Sequence, residues 1–404
     1  MGPLSFSAVI SSAALLRAPL PVSAPAEVSA PRDLTVTVES QLATHLAAWE
    51  DLIAHAVAPN PFYEPDALLA ALAHLPEASH VEVVCVWAAN PLPRQPAILV
   101  GLFPLLREPT YKGLPLPTLR TWKHLYSYQG TPLVRANHSS KVLDAFLDWL
   151  PSSGASLFVW DTIASDTGFR HALTDALQRR QVPTFEDERH TRALFRAAKD
   201  ADSFIARAIG GKKQKELRRQ LRRLNDIEPV TFARCTDLDR WIELYFALEA
   251  RGWKGGHGSA LKDDPHASAM FRALLRGAHA RGRLDMWMMT QPSRPLPIAM
   301  KCNLRSGESA IAFKISYDEE LAKFSPGVLL EMEHIAWMHE PGAPSWIDSG
   351  AAARHPMING LWRDRLGLET LVMPVDLKAQ VAVAAFPLMR FAQSMFRRLR
   401  SRKP

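Results

Sequence analysis

The sequence predicts a mixed α/β protein of two lobes, each with a mostly antiparallel mixed sheet flanked by helices. Period-two apolar runs alternate along the chain with runs of helical spacing. In the second half three strand-like runs follow one another closely, "RLDMWMMT", "LPIAMKCNL" and "SAIAFKISYD", and lead into helix, strand, helix and strand. With 404 residues, 47% of them hydrophobic and 22% charged, the chain is long for one core and sufficient for two.

The first 32 residues are rich in Ala, Ser and Pro, and no basic residue precedes their apolar run "FSAVISSAALL". They read as a disordered leader rather than a signal peptide. A first lobe is expected over 33–198. It opens with the strand "DLTVTVES" and the helices "LATHLAAWEDLIAHA" and "PDALLAALAHL". The strands "HVEVVCVWAAN" and "PAILVGLFPLLREP" follow, then the helix "SKVLDAFLDWL" and the strand "ASLFVWDTI". The helix "FRHALTDALQRRQ" and the strand-like "TRALFRAA" close the lobe.

A second lobe is expected over 199–375, with a basic linker helix at 199–226. Its grammar is strand "PVTFARC", helix "LDRWIELYFALEARG", a glycine-rich loop and helix "ASAMFRALLRGAHARG". The three close strands come next. A helix after Pro326, the strand "SWIDSG", a helix "MINGLWRDRLG" and the strand "ETLVMP" complete it. The first half has a looser version of this order, so an internal duplication of the fold is expected.

Cys85, Cys235 and Cys302 lie far apart with no CxxC pair, which argues against a metal or redox site and for a reducing compartment. A net charge of +7 favours an anionic partner. No stretch has the eighteen or so unbroken apolar residues of a membrane span.

The most informative stretch is "KISYDEELAKFSPGVLLEMEHI". A strand ends here and a helix opens on Ser325, Pro326 and Gly327, with Val328 and Leu329 in its first turn. A helix start offers unpaired N–H groups and the positive end of the helix dipole. Ser325 suits the N-cap, Pro326 the first helical position, and Gly327 a close approach of phosphate to the backbone. The residues alone fit an anion site and a well-capped helix equally.

The order of elements over 230–374 is similar to the GNAT acyltransferase fold. The phrases "ARGWKGGHGSAL", "KISYDEELAKFSPGVLLE", "WIDSGAAARHPMINGLW", "NPFYEP" and "GTPLV" resemble the bacterial CelD-like acetyltransferases. These are double-GNAT proteins related to the FemAB aminoacyltransferases and often tied to exopolysaccharide biosynthesis. The resemblance spans about residues 35–375. It implies tandem GNAT-like lobes and cytoplasmic acyl transfer from acetyl-CoA or another acyl-CoA, without a metal, to an amine or hydroxyl of a small-molecule or saccharide acceptor. The pyrophosphate would sit on Ser325–Leu329 and the thioester along "AIAFKISYD", where Ser316 contacts the cofactor. One departure is that Lys323-Phe324-Ser325-Pro326-Gly327 replaces the family's glutamine- or arginine-led glycine pattern.

Such a transfer needs a group to take the acceptor's proton. Asp348, ending the apolar strand beside the cofactor strand, is the first candidate for base or substrate ligand, and Asp318 the second. Tyr317 is placed to protonate the leaving thiolate, although an aromatic in a strand is more often core. Lys314 shares a strand face with Ser316 and Asp318. Glu249, before the glycine-rich loop, is a weaker candidate. The loop's Trp253 and Lys254 suit substrate contact, whereas His257 reads as a plain surface histidine.

Two basic stretches remain. "KKQKELRRQLRRLND" places Leu217, Leu221 and Leu224 on a narrow seam with Lys and Arg elsewhere. It reads as a linker helix, or as a phosphate contact for CoA or for RNA. RNA matters because FemAB relatives draw their acyl group from aminoacyl-tRNA, which defines the alternative reading. A catalytically silent scaffold is the non-enzymatic one. The tail over 376–404 is basic and amphipathic, and suits either the anionic inner-membrane surface or solvent.

Overall fold

The computed structural model describes residues 34–252, Gly256, Gly258 and 260–400, with side chains through Leu388 in the last helix. The expected leader and the loop residues Trp253, Lys254 and His257 lie outside the described residues.

In the first half, β1 (Leu34–Glu39), β2 (Val81–Ala88), β3 (Ile98–Glu108) and β4 (Thr118–Thr121) form an antiparallel meander. Helices α1 (Leu46–Ala54) and α2 (Pro65–His74) lie between β1 and β2 in sequence. The short β5 (Leu133–Val134) pairs with β3. Helix α3 (Ser139–Trp149) then leads to β6 (Leu157–Ala164), which runs parallel to β4. Helix α4 (Gly168–Arg179) precedes β7 (Phe185–Arg196).

The second half repeats this plan. After α5 (Ala201–Ala208) and α6 (Gly211–Ile227) come β8 (Thr231–Arg234), α7 (Leu238–Arg251) and α8 (Pro265–Ala280). Strands β9 (Leu284–Thr290), β10 (Ala299–Ser306) and β11 (Ser309–Tyr317) extend β8 into a second antiparallel meander. Helix α9 (Pro326–Trp337) leads to β12 (Trp346–Asp348), parallel to β11. Strand β13 (Asp364–Pro374) and helix α10 (Leu377–Arg400) finish the chain.

The halves exchange their last strands. β7, from the first half, pairs with β12, and β13, from the second, pairs with β6. β7 and β13 also pair with each other, so one sheet runs β1-β2-β3-β4-β6-β13-β7-β12-β11-β10-β9-β8. This reciprocal exchange is the structural form of the expected duplication. One apolar core runs beneath both meanders, joining Trp49, Tyr63 and Leu102 to Trp241, Phe271 and Met300. Each such side chain contributes roughly 1.5–3 kcal/mol by leaving water.

Two sequence expectations change. The helix expected at "MINGLWRDRLG" is only a 3-10 turn, Ile358–Gly360, and β13 has begun by Asp364. β7 offers a pairing edge from Asp364↔Leu194 onward, and extended pairing overrides local helical spacing there. Gly367 fits this strand because a Cβ would strike the Ser165 hydroxyl. β7 itself starts six residues before "TRALFRAA", since β13 gives partners along its length.

Leu217 and Leu224 of α6 are buried and Leu221 half-buried, giving the narrow seam that the spacing predicts. All three cysteines are free thiols. Among the described residues no helix is long and apolar enough to cross a membrane.

Candidate active site

β11 and β12 are paired only from Ser309↔Trp346 to Ile311↔Asp348. Beyond Ile311 they part, and Ala312–Tyr317 lines a cavity of about 520 Å³. Within that edge Phe313 is the extra residue of a bulge, because Cys302 opposes Lys314 while Asn303 opposes Ala312. A bulge re-aims side chains and frees backbone groups from the ladder. The first half reaches into this place through Tyr128, whose hydroxyl donates to the Phe313 carbonyl at 2.8 Å.

The opposite wall is the segment after β12, with Ser349, Gly350, His355 and Met357. Gly350 has φ +60°, and a Cβ there would stand 2.6 Å from the Tyr128 ring and 2.8 Å from the Ala312 carbonyl oxygen. Only glycine permits both the left-handed turn and the close approach. Burial pushes the pKa of His355 down, and its Nδ1 faces the Ile358 N–H at 3.4 Å.

Lys314 and Glu249 meet in this cavity. Burial lowers the pKa of Lys314, an effect that the charges of Glu249 and Cys302 oppose. Glu249 is 3% exposed and accepts hydrogen bonds from the Leu261 N–H at 2.8 Å and the Tyr245 hydroxyl at 3.4 Å. Ser316 and Tyr317 line the same edge, Tyr317 being 38% exposed.

Lys301 and Glu331 line the cavity from the buried side. The Lys301 ammonium donates to Glu331 at 2.5 Å and lies 3.0 Å from His334 Nδ1. Burial raises the pKa of Glu331, but Lys301 and His334 outweigh it and hold the carboxyl at about 2. Burial and Lys301 together press His334 down to about 4, against the pull of Glu331. A neutral His334 that accepts from Lys301 at Nδ1 carries its proton on Nε2, 2.8 Å from the Asn303 amide. Turning that amide so that Oδ1 faces Nε2 also satisfies Oδ1, which is otherwise an unpaired buried atom.

The helix start lies directly behind the lining. Ser325 caps the C-terminal end of the 3-10 turn Glu319–Phe324 and is the N-cap of α9, and it adopts a left-handed conformation, φ 54°, between them. It caps through its carbonyl, which accepts from the N–H groups of Val328 and Leu329 at 2.9 and 3.0 Å, and its side chain makes no cap bond. Pro326 and Gly327 are buried. A Cβ on Gly327 would meet Tyr317, Met357 and Ile315 at 3.5–3.7 Å, so side chains occupy the approach that the sequence left open. Leu329 packs in the core and Val328 is half-buried.

The two aspartates favoured from sequence are engaged elsewhere. The Asp348 carboxylate forms a buried bidentate pair with Arg192 and accepts the Gly350 N–H at 3.0 Å. Asp318 accepts from the Glu320 N–H at 3.1 Å and pairs with Arg294 at 3.2 Å. Neither lines the cavity. Tyr128, Lys301, Glu331 and His355 do, and the sequence reading missed them. The available signals were a lysine inside the apolar run "IAMKCNL" and Glu331 with His334 three apart on an apolar helix.

Residues 211–355 match the family model described as an acetyltransferase (GNAT) domain. No curated protein shows significant similarity to the sequence. Among solved structures, FemX has a TM-score of 0.54 at 10% identity, covering 81% of this chain and 95% of its own. A conserved protein of unknown function from Bacteroides thetaiotaomicron has a TM-score of 0.48 at 12% identity, covering 81% and 97%. A tandem GNAT protein from the clavulanic acid pathway has 0.43 at 13%, covering 85% and 99%. The match identifies residues 211–355 as a GNAT-type domain. Over most of its length the chain is similar in fold to FemX.

Proposed function

We propose that this protein is an acyltransferase that moves an acyl group from acyl-CoA, probed most simply as acetyl-CoA, to an amine or hydroxyl of a small-molecule or saccharide acceptor. The observation that carries the reading is the parting of β11 from β12 beside the start of α9. An exposed strand edge can hold a thioester carbonyl, and the neighbouring helix start can hold the phosphates. The Gly327 amide becomes accessible once the Tyr317 and Met357 side chains turn aside.

In this reading Glu249 takes the acceptor's proton as its nitrogen or oxygen attacks the thioester carbonyl. The carbon–sulfur bond breaks, and Tyr317 protonates the departing thiolate. Lys314 and Ser316 orient the substrates along the strand edge. Asp348 and Asp318 hold the surrounding loops. The test is isothermal titration with acetyl-CoA and longer acyl-CoAs, repeated on Gly327→Glu. Gly327→Ala is the folding control, because its methyl meets only ordinary contacts. Binding by wild type and the control but not by Gly327→Glu supports the site. No binding of any acyl-CoA by the wild type overturns it.

One observation favours a second reading, an aminoacyl donor carried on tRNA. Helix α6 exposes Lys212, Lys213, Lys215, Arg218, Arg222 and Arg223, and it packs against the turn Glu319–Phe324 that leads to α9. Salt-sensitive RNA binding that disappears when these residues are neutralised would select it.

A further inference from the structure

From Leu377 to Leu388 helix α10 has two apolar faces, and among these described residues only one is covered. Ala379, Val383 and Phe386 are buried in a cluster with Val159 and Val372. The Phe386 ring lies 5.4 Å from those of Tyr111 and Phe185, which pins this face to the sheet. On the opposite side Leu377, Val381 and Leu388 are 78%, 75% and 73% exposed. Their spacing of four and seven residues puts them in one stripe along the helix. The sequence continues the helical spacing with Phe391, Met395 and Leu399, each four residues apart. Single exposed apolar residues are ordinary, but a stripe of them opposite an anchored face is not.

Charge identifies what covers it. From Leu377 to the last residue there is no Asp or Glu, while Lys378 and six Lys and Arg between Arg390 and Lys403 are present. The chain has 48 Lys and Arg against 41 Asp and Glu, so residues 1–376 hold 41 of each and balance. The whole excess of +7 therefore lies in the segment that carries the stripe. An apolar strip among cations and no anions matches an anionic phospholipid surface, where acyl chains take the leucines and headgroups take the arginines. Nucleic acid would satisfy the cations and leave the stripe in water.

We propose that α10 is a docking element that lays the exposed Leu377–Val381–Leu388 stripe on an anionic bilayer surface. This does not depend on the acyl-transfer reading. The test is co-sedimentation of the full chain with vesicles of phosphatidylcholine alone and with about one-third phosphatidylglycerol, at low and high salt. Wild type is expected to bind the anionic vesicles at least ten-fold better than the neutral ones, less at high salt. The triple variant Leu377→Gln, Val381→Gln, Leu388→Gln changes only exposed positions. It should keep the circular dichroism of the wild type and lose ten-fold or more of the vesicle binding. Arg397→Gln with Arg398→Gln should weaken binding and reduce its salt dependence. Equal binding to both vesicle types, or undiminished binding by the triple variant, would overturn the proposal. So would a lipid-free dimer that the triple variant dissolves, since the stripe would then belong to a second copy of this chain.

Discussion

Arg192 of β7 and Asp348 of β12 form a buried bidentate ion pair across the point where the halves of the protein exchange strands. Arg192 also donates to the Tyr128 carbonyl at 2.8 Å, and Asp348 accepts from Gly350. The pair thus ties together two segments that line the cavity, the one that carries Tyr128 and the one that follows β12. Removing one partner leaves the other charge buried, at about 3–5 kcal/mol, whereas an apolar pair of similar size is often neutral. Asp348→Ala should lower the unfolding free energy by that amount, and Arg192→Met with Asp348→Leu should recover most of it. Urea unfolding decides. Loss of turnover in Asp348→Ala without loss of stability would make the aspartate catalytic instead.

Glu249 is the acidic residue on which the proposed chemistry depends. Glu249→Gln keeps a side-chain oxygen for the Leu261 N–H and removes the basic group. Steady-state rates should fall by about 10²–10⁴-fold in kcat, with acyl-CoA affinity near that of the wild type. Unchanged kcat would send the search for the base elsewhere in the cavity.

Gly350→Ala tests how tightly the wall is built. Its methyl would stand 2.6 Å from the Tyr128 ring and 2.8 Å from the Ala312 carbonyl, in a backbone conformation that alanine resists. A loss of about 1–3 kcal/mol is expected from the left-handed strain alone. Tyr128 must also shift, so acyl-CoA affinity should drop together with stability. A variant as stable and as tight-binding as the wild type would show that Tyr128 is not a fixed part of the wall.

Much of this architecture was legible in the sequence, and the reasons differ by element. β9, β10 and β11 could be read because apolar runs bounded by turns specify strands locally, and the Ser325–Gly327 helix start announces itself through proline. β13 was misread in part because its first residues, Asp364 to Gly367, gain strand character only from β7, about 170 residues earlier in the chain. The site divided in the same way. Lys314, Ser316 and Tyr317 lie on one strand, where adjacency in sequence becomes adjacency in space. Asp348 looked like a base because its partner Arg192 is remote in sequence, and no local pattern reveals such a pair. Lys301, Glu331 and His334 come from a strand and a helix that only folding brings together.

That buried cluster makes a prediction about acid. In the folded protein His334 takes its proton only near pH 4, whereas an exposed histidine does so near 6.5. Between those values the unfolded chain binds a proton that the native state does not, so stability must fall as pH falls from 6.5 toward 4. A shift of that size corresponds to a loss on the order of 3 kcal/mol. Glu331 extends the loss to lower pH, because its carboxyl stays ionised down to about 2 when folded and protonates near 4.5 when unfolded. His124, half-buried and held near 3 by desolvation and the nearby lysines, adds to the first window, so the contribution of His334 must be isolated by difference. His334→Gln has nothing to titrate and can still bond to Asn303. Its unfolding free energy, measured in urea across pH 7 to 4, should fall less steeply than that of the wild type. The wild-type slope persisting in the variant would mean that His334 already carries its proton in the folded protein, and that the Lys301–Glu331 pair stands without it.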